Sequence, residues 1–376
     1  MSSTPLQADE RYMREALSLA RQSPVLPYPN PWVGCVIVRS GKIVGRGFHH
    51  GAGTPHAEIE ALKQAGPRAR NATLYVNLEP CCHFGRTPPC TDAILQSGIR
   101  RLVYAIPDPN PVVKGQGAAI LSQHGLQIIS GVCRAEAAAL NEVYLKFRAT
   151  GLPFVTAKVA TSLDGKIATR TGASKWITNT KARRRAHEIR REHQAVLVGV
   201  NTILADDPHL GLRPAGPVEP WRIVLDSRLR IPLRARVLKS GRCIVATTAS
   251  LASPKAEQLK QAGARVWRFD GTRVPIKSLL RKLARDGIFS VMVEGGSEVL
   301  GSFHDLRLID RIYWFFAPII IGSQQSRSAF GGKGVSQLEQ AARLRNFRFE
   351  QIGNCWMVRG NISCWALDQT DNENTL

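Results

Sequence analysis

The sequence predicts two α/β domains that meet near residue 150. The chain has 376 residues, and domains of about 100–200 residues are the norm, so two are favoured over one. Patterns typical of strands and helices alternate on both sides of Gly151-Leu152-Pro153, which has the composition of a linker. We therefore expect domains over residues 1–149 and 150–366, followed by a polar, disordered tail over residues 367–376.

Apolar periodicity and turn residues predict the elements of the first domain. They are a helix over 6–22, a hairpin of strands 32–38 and 42–47, strands over 73–78, 101–106 and 127–130, and helices over 90–97 and 135–148. A further helix is expected to begin at Thr54-Pro55, with Thr54 as the N-cap and Pro55 as the first helical residue.

The second domain continues the alternation. Its predicted strands cover 154–160, 195–200, 222–226, 243–247, 289–294 and 311–321, and its predicted helices cover 181–193, 254–262 and 298–306. Several of these strands are continuous apolar runs, which are typical of buried strands.

Composition narrows the class of protein. Hydrophobic residues make up 44% of the chain, which excludes wholesale disorder. Since no run of 18 apolar residues occurs and the N-terminus has no apolar signal core, we expect a cytoplasmic protein without a membrane span. Eight cysteines are too few for a disulfide scaffold, and three within ten residues indicate metal or redox chemistry.

The net charge of +22 is concentrated in the second domain. Residues 1–150 hold 16 basic and 10 acidic side chains, whereas residues 151–376 hold 35 and 19. Such an excess indicates nucleic acid or small anionic ligands such as phosphates, and it is also compatible with a general effect on solubility. Charge alone does not decide between them.

The most specific motif lies in the first domain. His56-Ala57-Glu58 is followed by Pro80-Cys81 and then by Cys90. One imidazole and two thiolates are suitable zinc ligands, and three protein ligands leave the fourth tetrahedral position open for water, as in catalytic sites. A structural site would need a fourth ligand, for which Cys82 or His83 are candidates. The order H-x-E, P-C and C is the signature of zinc deaminases, with the glutamate as the proton-transfer group and not a ligand.

The spacing of the motif resembles one family. Eight residues separate Cys81 from Cys90, unlike the C-x-x-C of cytidine and tRNA adenosine deaminases. Together with Pro29-Asn30-Pro31, Gly47-Phe48-His49 and Asp108-Pro109-Asn110-Pro111, this segment is similar to the deaminase half of the bifunctional pyrimidine deaminase/reductases of riboflavin biosynthesis. The resemblance implies a cytidine-deaminase-like α/β/α domain, zinc on His56, Cys81 and Cys90, and Glu58 as the catalytic proton donor. It also implies pyrimidine contacts from Asn30 and His49, and a contact from Arg86 to a carbonyl or phosphate.

The second domain continues the resemblance. The matching stretches are Ser162-Leu163-Asp164-Gly165-Lys166, Ser174-x-Trp176-Ile177-Thr178, Asp206-Asp207-Pro208-x-Leu210 with Arg213, and Val293-Glu294-Gly295-Gly296. Each is weak alone, but their order behind this deaminase motif is specific. The resemblance implies a dihydrofolate-reductase-like α/β domain that uses NADPH.

One stretch of the second domain has a physical reading of its own. An apolar strand ends in Gly295-Gly296-Ser297 and a helical pattern follows. Glycines allow close approach of the backbone to a pyrophosphate, and a helix N-terminus supplies N–H donors. The pattern lacks G-x-G-x-x-G with a downstream acid, so we do not interpret it as a Rossmann site.

The resemblance also implies ligand contacts in the second domain. For NADPH they are Ala160, Trp176, Thr202, Asp206, Ser227, Gly296, Ser297, Glu298, Val299, Leu300, Gly301 and Ser302. For the substrate they are Ser174, Arg190, Leu210, Arg213 and Glu294.

Two readings of the second domain stay open. Arg190 lies in a cluster of arginines on one predicted helix, where an inward guanidinium suits a phosphate and the remaining arginines suit a solvated face. The proton donor of the reduction is not evident, and Lys158, Asp206 and Glu294 are all candidates.

The predicted function is deamination of 2,5-diamino-6-ribosylamino-4(3H)-pyrimidinone 5′-phosphate, followed by NADPH-dependent reduction of the ribosyl chain to ribityl. We expect small-molecule substrates, a homo-oligomer, and no membrane or nucleic-acid partner. The alternatives are a deaminase of tRNA bases, a basic binding module, and a homologue with one active half. Glu60, two residues after Glu58, is a departure that would raise the pKa of Glu58 if it faced the site.

Overall fold

A computed structural model of the chain describes residues 5–23, 26–51, 53–85, 87–216 and 218–362. The chain forms two compact units, Met1–Gly151 and Leu152–Leu376. The division falls two residues after the boundary that the sequence predicts. The predicted tail over residues 367–376 lies outside the described residues.

The first unit is built on a five-stranded sheet. Its helices and strands are α1 (Pro5–Ala20), β1 (Gly34–Arg39), β2 (Lys42–Phe48), α2 (Ala57–Ala65), β3 (Thr73–Leu78), α3 (Cys90–Gln96), β4 (Arg101–Ile106), α4 (Gln116–Gln123), β5 (Gln127–Ser130), α5 (Arg134–Leu140) and α6 (Glu142–Thr150). The strand order is β2-β1-β3-β4-β5. β1 runs antiparallel to both of its neighbours, and β3, β4 and β5 are parallel. Apolar side chains of β1, β3, β4 and α2 share one core.

Two helix predictions in this unit are wrong. α2 begins at Ala57 with His56 as its N-cap, because the Thr54 hydroxyl donates to the Gly51 carbonyl and closes a turn before the helix. The helix predicted over 135–148 is two helices that meet at Asn141. The Asn141 side chain accepts from the Trp32 N–H at 2.7 Å and donates to the Trp32 carbonyl at 3.0 Å. These bonds tie the helix junction to the start of the sheet.

α2 lies directly against the backbone of β2 because two glycines face it. A Cβ atom on Gly47 would overlap the Ala57 carbonyl oxygen, and one on Gly45 would overlap the Ala61 carbonyl oxygen. The two glycines are two positions apart, so both face the same side of the strand. The helix that follows His56 is therefore held at backbone contact with the sheet.

The second unit is built on a nine-stranded sheet. Its elements are β6 (Phe154–Ser162), α7 (Thr180–Arg191), β7 (Ala195–Gly199), α8 (Val200–Asp206), β8 (Trp221–Leu225), β9 (Cys243–Thr247), α9 (Pro254–Gln261), β10 (Ala264–Arg268), α10 (Ile276–Arg285), β11 (Ser290–Gly295), α11 (Ser297–Asp305), β12 (Arg311–Ala317), β13 (Arg345–Ile352) and β14 (Cys355–Asn361). The order is β10-β9-β8-β7-β11-β6-β12-β14-β13. The first seven strands in that order are parallel, and β14 and β13 extend the sheet in antiparallel fashion.

The structure adds elements that the sequence patterns did not predict. These are α4, α8, α10, β10, β13 and β14. The strand predicted over 311–321 ends at Ala317, where Pro318 follows and the Ile319 N–H donates back to the Ala317 carbonyl. Proline has no N–H for the sheet, which accounts for the early end. Among the described residues, no helix combines the length and apolar character that crossing a membrane requires.

His193 is a buried histidine beneath the sheet of the second unit. Its Nδ1 donates to the Ile189 carbonyl at 2.8 Å and its Nε2 accepts from the Thr156 hydroxyl at 2.7 Å. Burial lowers the pKa of His193 to about 4. Since an unfolded histidine titrates near pH ~6.5, the unfolded state binds more protons between these two values, and stability falls as the pH falls through that window.

We expect His193 alone to reduce the free energy of unfolding by up to about 3 kcal/mol between pH ~6.5 and pH ~4. The measurement is denaturant unfolding followed by tryptophan fluorescence, which reports mainly the second unit because Trp32 is the single tryptophan of residues 1–151. His193→Gln should flatten the dependence of the free energy of unfolding on pH. His304 is a less buried histidine of the same unit, and His304→Gln should leave that dependence unchanged. An equal slope in His193→Gln would refute the assignment.

Candidate active sites

The first candidate site lies where α2 and α3 begin. His56 is the N-cap of α2, Cys90 is the first residue of α3, and Cys81 lies in the loop after β3. His56 Nδ1 is 3.1 Å from Cys90 Sγ and 3.4 Å from Cys81 Sγ. The three donor atoms all lie within 4.8 Å of one another. Two helix N-termini thus place ligands from three separate segments together.

This donor set fits zinc. Zn–S bonds of about 2.3 Å and Zn–N bonds of about 2.0 Å in a tetrahedron require N to S separations of about 3.5 Å, close to the distances observed. Among the described residues, the cluster contains three candidate ligands. Cys82, a candidate fourth ligand, points its Sγ towards the Val112 carbonyl at 3.7 Å. The geometry therefore favours the open, catalytic type of site over a closed structural one.

The surroundings of the cluster hold its ligands in place. Hydrogen bonds from Cys90 lower the pKa of the Cys81 thiol to about 4, and the Cys90 backbone N–H lies 3.4 Å from Cys81 Sγ. His56 Nε2 is 3.4 Å from the Thr87 hydroxyl, which leaves Nδ1 directed to the two sulfurs. A hydrogen-bonded second nitrogen is the usual way in which a ligating imidazole is oriented.

Glu58 lies beside the cluster in the first turn of α2. Its side chain is buried and is hydrogen-bonded to the Cys90 thiol. Burial, and then the charge of Cys81, raise the pKa of Glu58. Glu60 has its Cβ beside Gly47 of β2 and is not among the described residues that line the cavity. The raised pKa of Glu58 thus has causes other than the acid two residues on.

A cavity of about 370 Å³ opens beside the cluster. Asn30, His49, His56, Glu58 and Cys81 all line it. Asn30 Nδ2 donates to His49 Nε2 at 2.8 Å, and His49 Nδ1 donates to the Pro55 carbonyl at 3.2 Å. Burial lowers the pKa of His49, which favours the neutral ring. Arg86, the remaining predicted contact, lies outside the described residues.

Three further cavity residues were missed at the sequence level. Asp108, Tyr144 and Arg148 line the cavity from the loop after β4 and from α6. The Tyr144 hydroxyl donates to Asp108 at 2.8 Å. Asp108 belongs to a motif that the sequence analysis noted, although it was not assigned a contact. For Tyr144 and Arg148, the one signal in the sequence was their four-residue spacing, which places both on the same face of a helix.

The second candidate site is a cleft of about 950 Å³ at the carboxyl ends of the parallel strands of the second unit. This is the edge at which open α/β sheets bind ligands. The predicted residues that line the cleft are Ala160, Ser174, Thr202, Asp206, Ser227, Glu294, Gly296, Ser297, Glu298, Val299, Leu300 and Ser302.

A glycine turn leads into α11 on one wall of this cleft. The Thr202 hydroxyl accepts from the Gly296 N–H at 3.1 Å, and α11 begins at Ser297 with Gly296 as its N-cap. The side chain of Thr202 thereby fixes the turn whose N–H groups precede the helix. This arrangement suits an anionic group of a ligand.

Besides Arg190, four predicted contacts lie elsewhere among the described residues. Trp176 is exposed and stacks under Arg183, with 4.4 Å from the guanidinium carbon to the ring centroid. Gly301 lies against the backbone of Gly331, where a Cβ would not fit. Leu210 is buried with a φ of 56°, and Arg213 is exposed. None of the four is among the described residues that line the cleft.

Arg190 has a different environment from the predicted one. Its Nε and Nη2 are both 2.7 Å from Glu294 Oε1, and its Nη1 donates to the Gly211 carbonyl at 2.6 Å. Its side chain is 9% exposed. A guanidinium that is already neutralised by a carboxylate is poorly suited to a phosphate. The geometry thus favours a role for Arg190 in holding Glu294.

Glu294 also carries a second ion pair. Lys158 Nζ lies 3.3 Å from Glu294 Oε2, and both residues line the cleft. Burial alone would raise the pKa of Glu294, but Arg190 and Lys158 together lower it to about 2. Glu294 is therefore an anion at neutral pH, and it holds the Lys158 ammonium at the cleft surface.

Four arginines that were not predicted as contacts line the cleft, and three of them lie near Ser227. Arg228, Arg230 and Arg273 line it beside Ser227 and are exposed. Arg230 donates to Asn201 at 2.8 Å. They come from the loop after β8 and the segment before α10, so no local sequence pattern brought them together.

Known proteins resemble the chain over both units. A family model described as the RibD C-terminal domain matches residues 153–358, and one described as the cytidine and deoxycytidylate deaminase zinc-binding region matches residues 6–106. The chain is 47% identical over 347 residues to the riboflavin biosynthesis protein RibD of Aquifex aeolicus, with 92% of this chain and 96% of that protein covered. Its identity to the RibD protein of Escherichia coli is 38% over 358 residues, with 92% and 96% covered.

Solved structures agree with these sequence matches. Acinetobacter baumannii RibD has a TM-score of 0.84 at 36% identity, with 96% of this chain and 100% of that chain covered. A diaminohydroxyphosphoribosylaminopyrimidine deaminase/5-amino-6-(5-phosphoribosylamino)uracil reductase from Thermotoga maritima has a TM-score of 0.81 at 35% identity, with the same coverage. The similarity therefore spans both sites.

Proposed function

The chain belongs to the RibD family, the bifunctional deaminase/reductases of riboflavin biosynthesis, and from this premise we propose how its two sites act. The first unit deaminates 2,5-diamino-6-ribosylamino-4(3H)-pyrimidinone 5′-phosphate. The second unit reduces the ribosyl chain of the product with NADPH and gives 5-amino-6-ribitylamino-uracil 5′-phosphate. The observation that carries the proposal is the convergence of His56, Cys81 and Cys90 beside Glu58.

His56, Cys81 and Cys90 are the proposed ligands of one zinc ion per chain. Bound zinc lowers the pKa of a coordinated water towards ~7 and so supplies hydroxide at neutral pH. Hydrolytic deamination adds the oxygen of water to the ring carbon and releases its amino group as ammonia. The chain must therefore move one proton from the water to the ring and deliver another to the leaving amine.

Glu58 is the proposed carrier of these protons. It is a non-ligand carboxyl beside the ligand cluster, and its raised pKa brings it nearer to the range in which a group both accepts and donates protons near neutral pH. Asn30 and neutral His49 present an amide and an imidazole to the cavity. We propose that they orient the pyrimidine ring.

The proposed cofactor of the second unit is NADPH, which supplies a hydride when bound. The glycine turn and the start of α11 suit the pyrophosphate. Arg228, Arg230 and Arg273 place positive charge in the same cleft beside Ser227, which suits the 2′-phosphate that distinguishes NADPH from NADH. The carboxylate of Asp226 is buried nearby. Its Oδ2 accepts from the Ile231 N–H at 2.7 Å, which partly offsets its negative charge beside the proposed phosphate.

We expect Arg273→Gln or Arg228→Gln to lower the ratio of kcat/KM for NADPH to kcat/KM for NADH by about tenfold each, because each removes a charge-assisted phosphate contact. The measurement is steady-state oxidation of both cofactors with the deaminated substrate. Arg234→Gln, an exposed arginine outside the cleft, is the matched control. An unchanged ratio in both cleft variants would remove these arginines from cofactor recognition.

Lys158 is the proposed proton donor of the reduction. Hydride addition to C1′ of the sugar opens the C1′–O4′ bond, and O4′ takes up a proton. Of the three candidates, Glu294 has a pKa of about 2 and holds no proton at neutral pH. Asp206 forms a salt bridge with Lys175 at 3.2 Å. Lys158 lines the cleft as an ammonium with three N–H donors.

The decisive experiment for the whole proposal measures zinc content, ammonia release and NADPH oxidation on one preparation. About one zinc per chain with both activities is the expected result. A deaminase of tRNA bases would release ammonia from RNA and oxidise no NADPH, and a homologue with one active half would lack one of the two activities. The predicted homo-oligomer stays a prediction, which the mass in solution would test.

A further inference from the structure

We propose that Arg148 binds the 5′-phosphate of the substrate in the cavity of the first unit and so sets the preference of the deaminase for phosphorylated substrates. This inference rests on the proposed function, since it assigns a substrate group to a residue of the same cavity. Arg148 lies in the last turn of α6, far in sequence from the ligand cluster.

The charges that line the cavity favour this residue. Within the described part of the chain, Arg148 is the one lysine or arginine that lines the cavity. A phosphate brings negative charge into the cavity, and burying that charge is costly unless a cation pairs with it.

The acids that line the cavity are already bound to other groups. Glu79 accepts from the backbone N–H groups of Asp108, Gly115 and Ala118 at 3.0–3.3 Å. Asp108 accepts from the Tyr144 hydroxyl and from the Asn110 N–H. Glu58 lies at the ligand cluster. The carboxylate charges are thus held by protein donors, which reduces their repulsion of an incoming anion.

Arg148 is held by aromatic rings. Its guanidinium carbon lies 5.2 Å from the ring centroid of Tyr144 and 6.0 Å from that of Phe147. The guanidinium also hydrogen-bonds to the Tyr144 hydroxyl, and its charge opposes the burial that raises the pKa of Asp108, while the residue stays exposed to an incoming ligand. A stacked guanidinium keeps its charge and its planar set of donors, which match a phosphate in a bidentate manner.

A different role for Arg148 makes a different prediction. A cation in the last turn of a helix also interacts with the helix carbonyls. If that were the role of Arg148, its removal would destabilise the first unit and lower the activity on both substrates equally. A phosphate contact instead predicts a loss that is confined to the phosphorylated substrate. The comparison of two substrates therefore separates the two roles.

The test measures kcat and KM for ammonia release from the 5′-phosphorylated substrate and from its dephosphorylated ribosyl counterpart. Arg148→Gln should lower the ratio of the two kcat/KM values by about 10- to 100-fold, mainly through KM of the phosphorylated substrate. Arg148→Lys, which keeps the charge, should recover part of the ratio. Inorganic phosphate should inhibit wild-type deamination more strongly than that of Arg148→Gln.

The matched control is Arg11→Gln. Arg11 is exposed and also stacks on a tyrosine, at 5.4 Å from the ring of Tyr12, but it does not line the cavity. In Arg11→Gln, the ratio of kcat/KM for the phosphorylated substrate to kcat/KM for the dephosphorylated one should equal that of the wild-type enzyme. Equal losses for both substrates in Arg148→Gln would overturn the assignment and indicate a structural role. A wild-type protein that deaminates neither substrate would overturn the proposed function, and this inference with it.

Discussion

Glu58→Gln is expected to lower the rate of ammonia release by about 10³-fold, because general acid–base catalysis by a positioned side chain is worth about 10²–10⁴-fold. Glutamine has the size of glutamate but carries no proton between water and substrate. Zinc content should stay at the wild-type level, since His56, Cys81 and Cys90 form the cluster without Glu58. NADPH oxidation with the deaminated substrate should also be unchanged, since that cleft belongs to the other unit.

The measurements are ammonia release, zinc by mass spectrometry of the metal, and absorbance of NADPH, all on one preparation. Glu60→Gln is the matched control, because this acid lies on the same helix and does not line the cavity among the described residues. It should deaminate within about twofold of wild type, as substitutions away from such a site usually do. A Glu58→Gln enzyme that retained a tenth of the wild-type rate would disprove the proton-carrier role.

Lys158→Met should reduce NADPH oxidation by about 10²–10³-fold, which is the loss expected for a proton donor. Methionine keeps much of the aliphatic length of lysine and removes the ammonium. Glu294 retains its pair with Arg190 at 2.7 Å, so the carboxylate is not left uncompensated. The unit should therefore still fold and bind NADPH.

Three readouts check this result: single-turnover oxidation of NADPH, a fluorescence titration of NADPH binding, and ammonia release. Binding and deamination should stay close to wild type. Lys175→Met is the matched control, because Lys175 is an exposed lysine that forms a salt bridge with Asp206. If Lys175→Met lost as much activity as Lys158→Met, the loss would not be specific to Lys158, and its assignment as the proton donor would fail.

The prediction of the fold from the sequence was based on local patterns of apolar and turn-forming residues. Continuous apolar runs such as those of β7 and β9 indicate buried strands without knowledge of their neighbours. The start of α2 was misplaced because Thr54 has the properties of an N-cap, yet its hydroxyl is used by Gly51. The break at Asn141 depends on a contact with Trp32, more than a hundred residues earlier. Boundaries that depend on distant partners are not encoded in the local pattern.

The same distinction applies to the sites. His56, Cys81 and Cys90 were identifiable because metal ligands must be of a few residue types and the motif spacing is specific. The ion pair of Arg190 with Glu294 joins residues 104 positions apart, and the sequence indicated a phosphate contact because an inward arginine needs some anion. Arg228 and Arg273 share a cleft only through the topology of the sheet. Sequence patterns show which groups need partners, and the tertiary structure determines which partners they have.

The two glycines beneath α2 have an evolutionary consequence. Since any side chain at Gly45 or Gly47 would collide with the main chain of that helix, even the smallest mutation there would lift the segment that bears Glu58. Drift at these positions would thus damage folding and deamination in a single step, and no compensating change on the helix surface would restore the lost space. Lineages that keep the reaction should therefore keep both glycines.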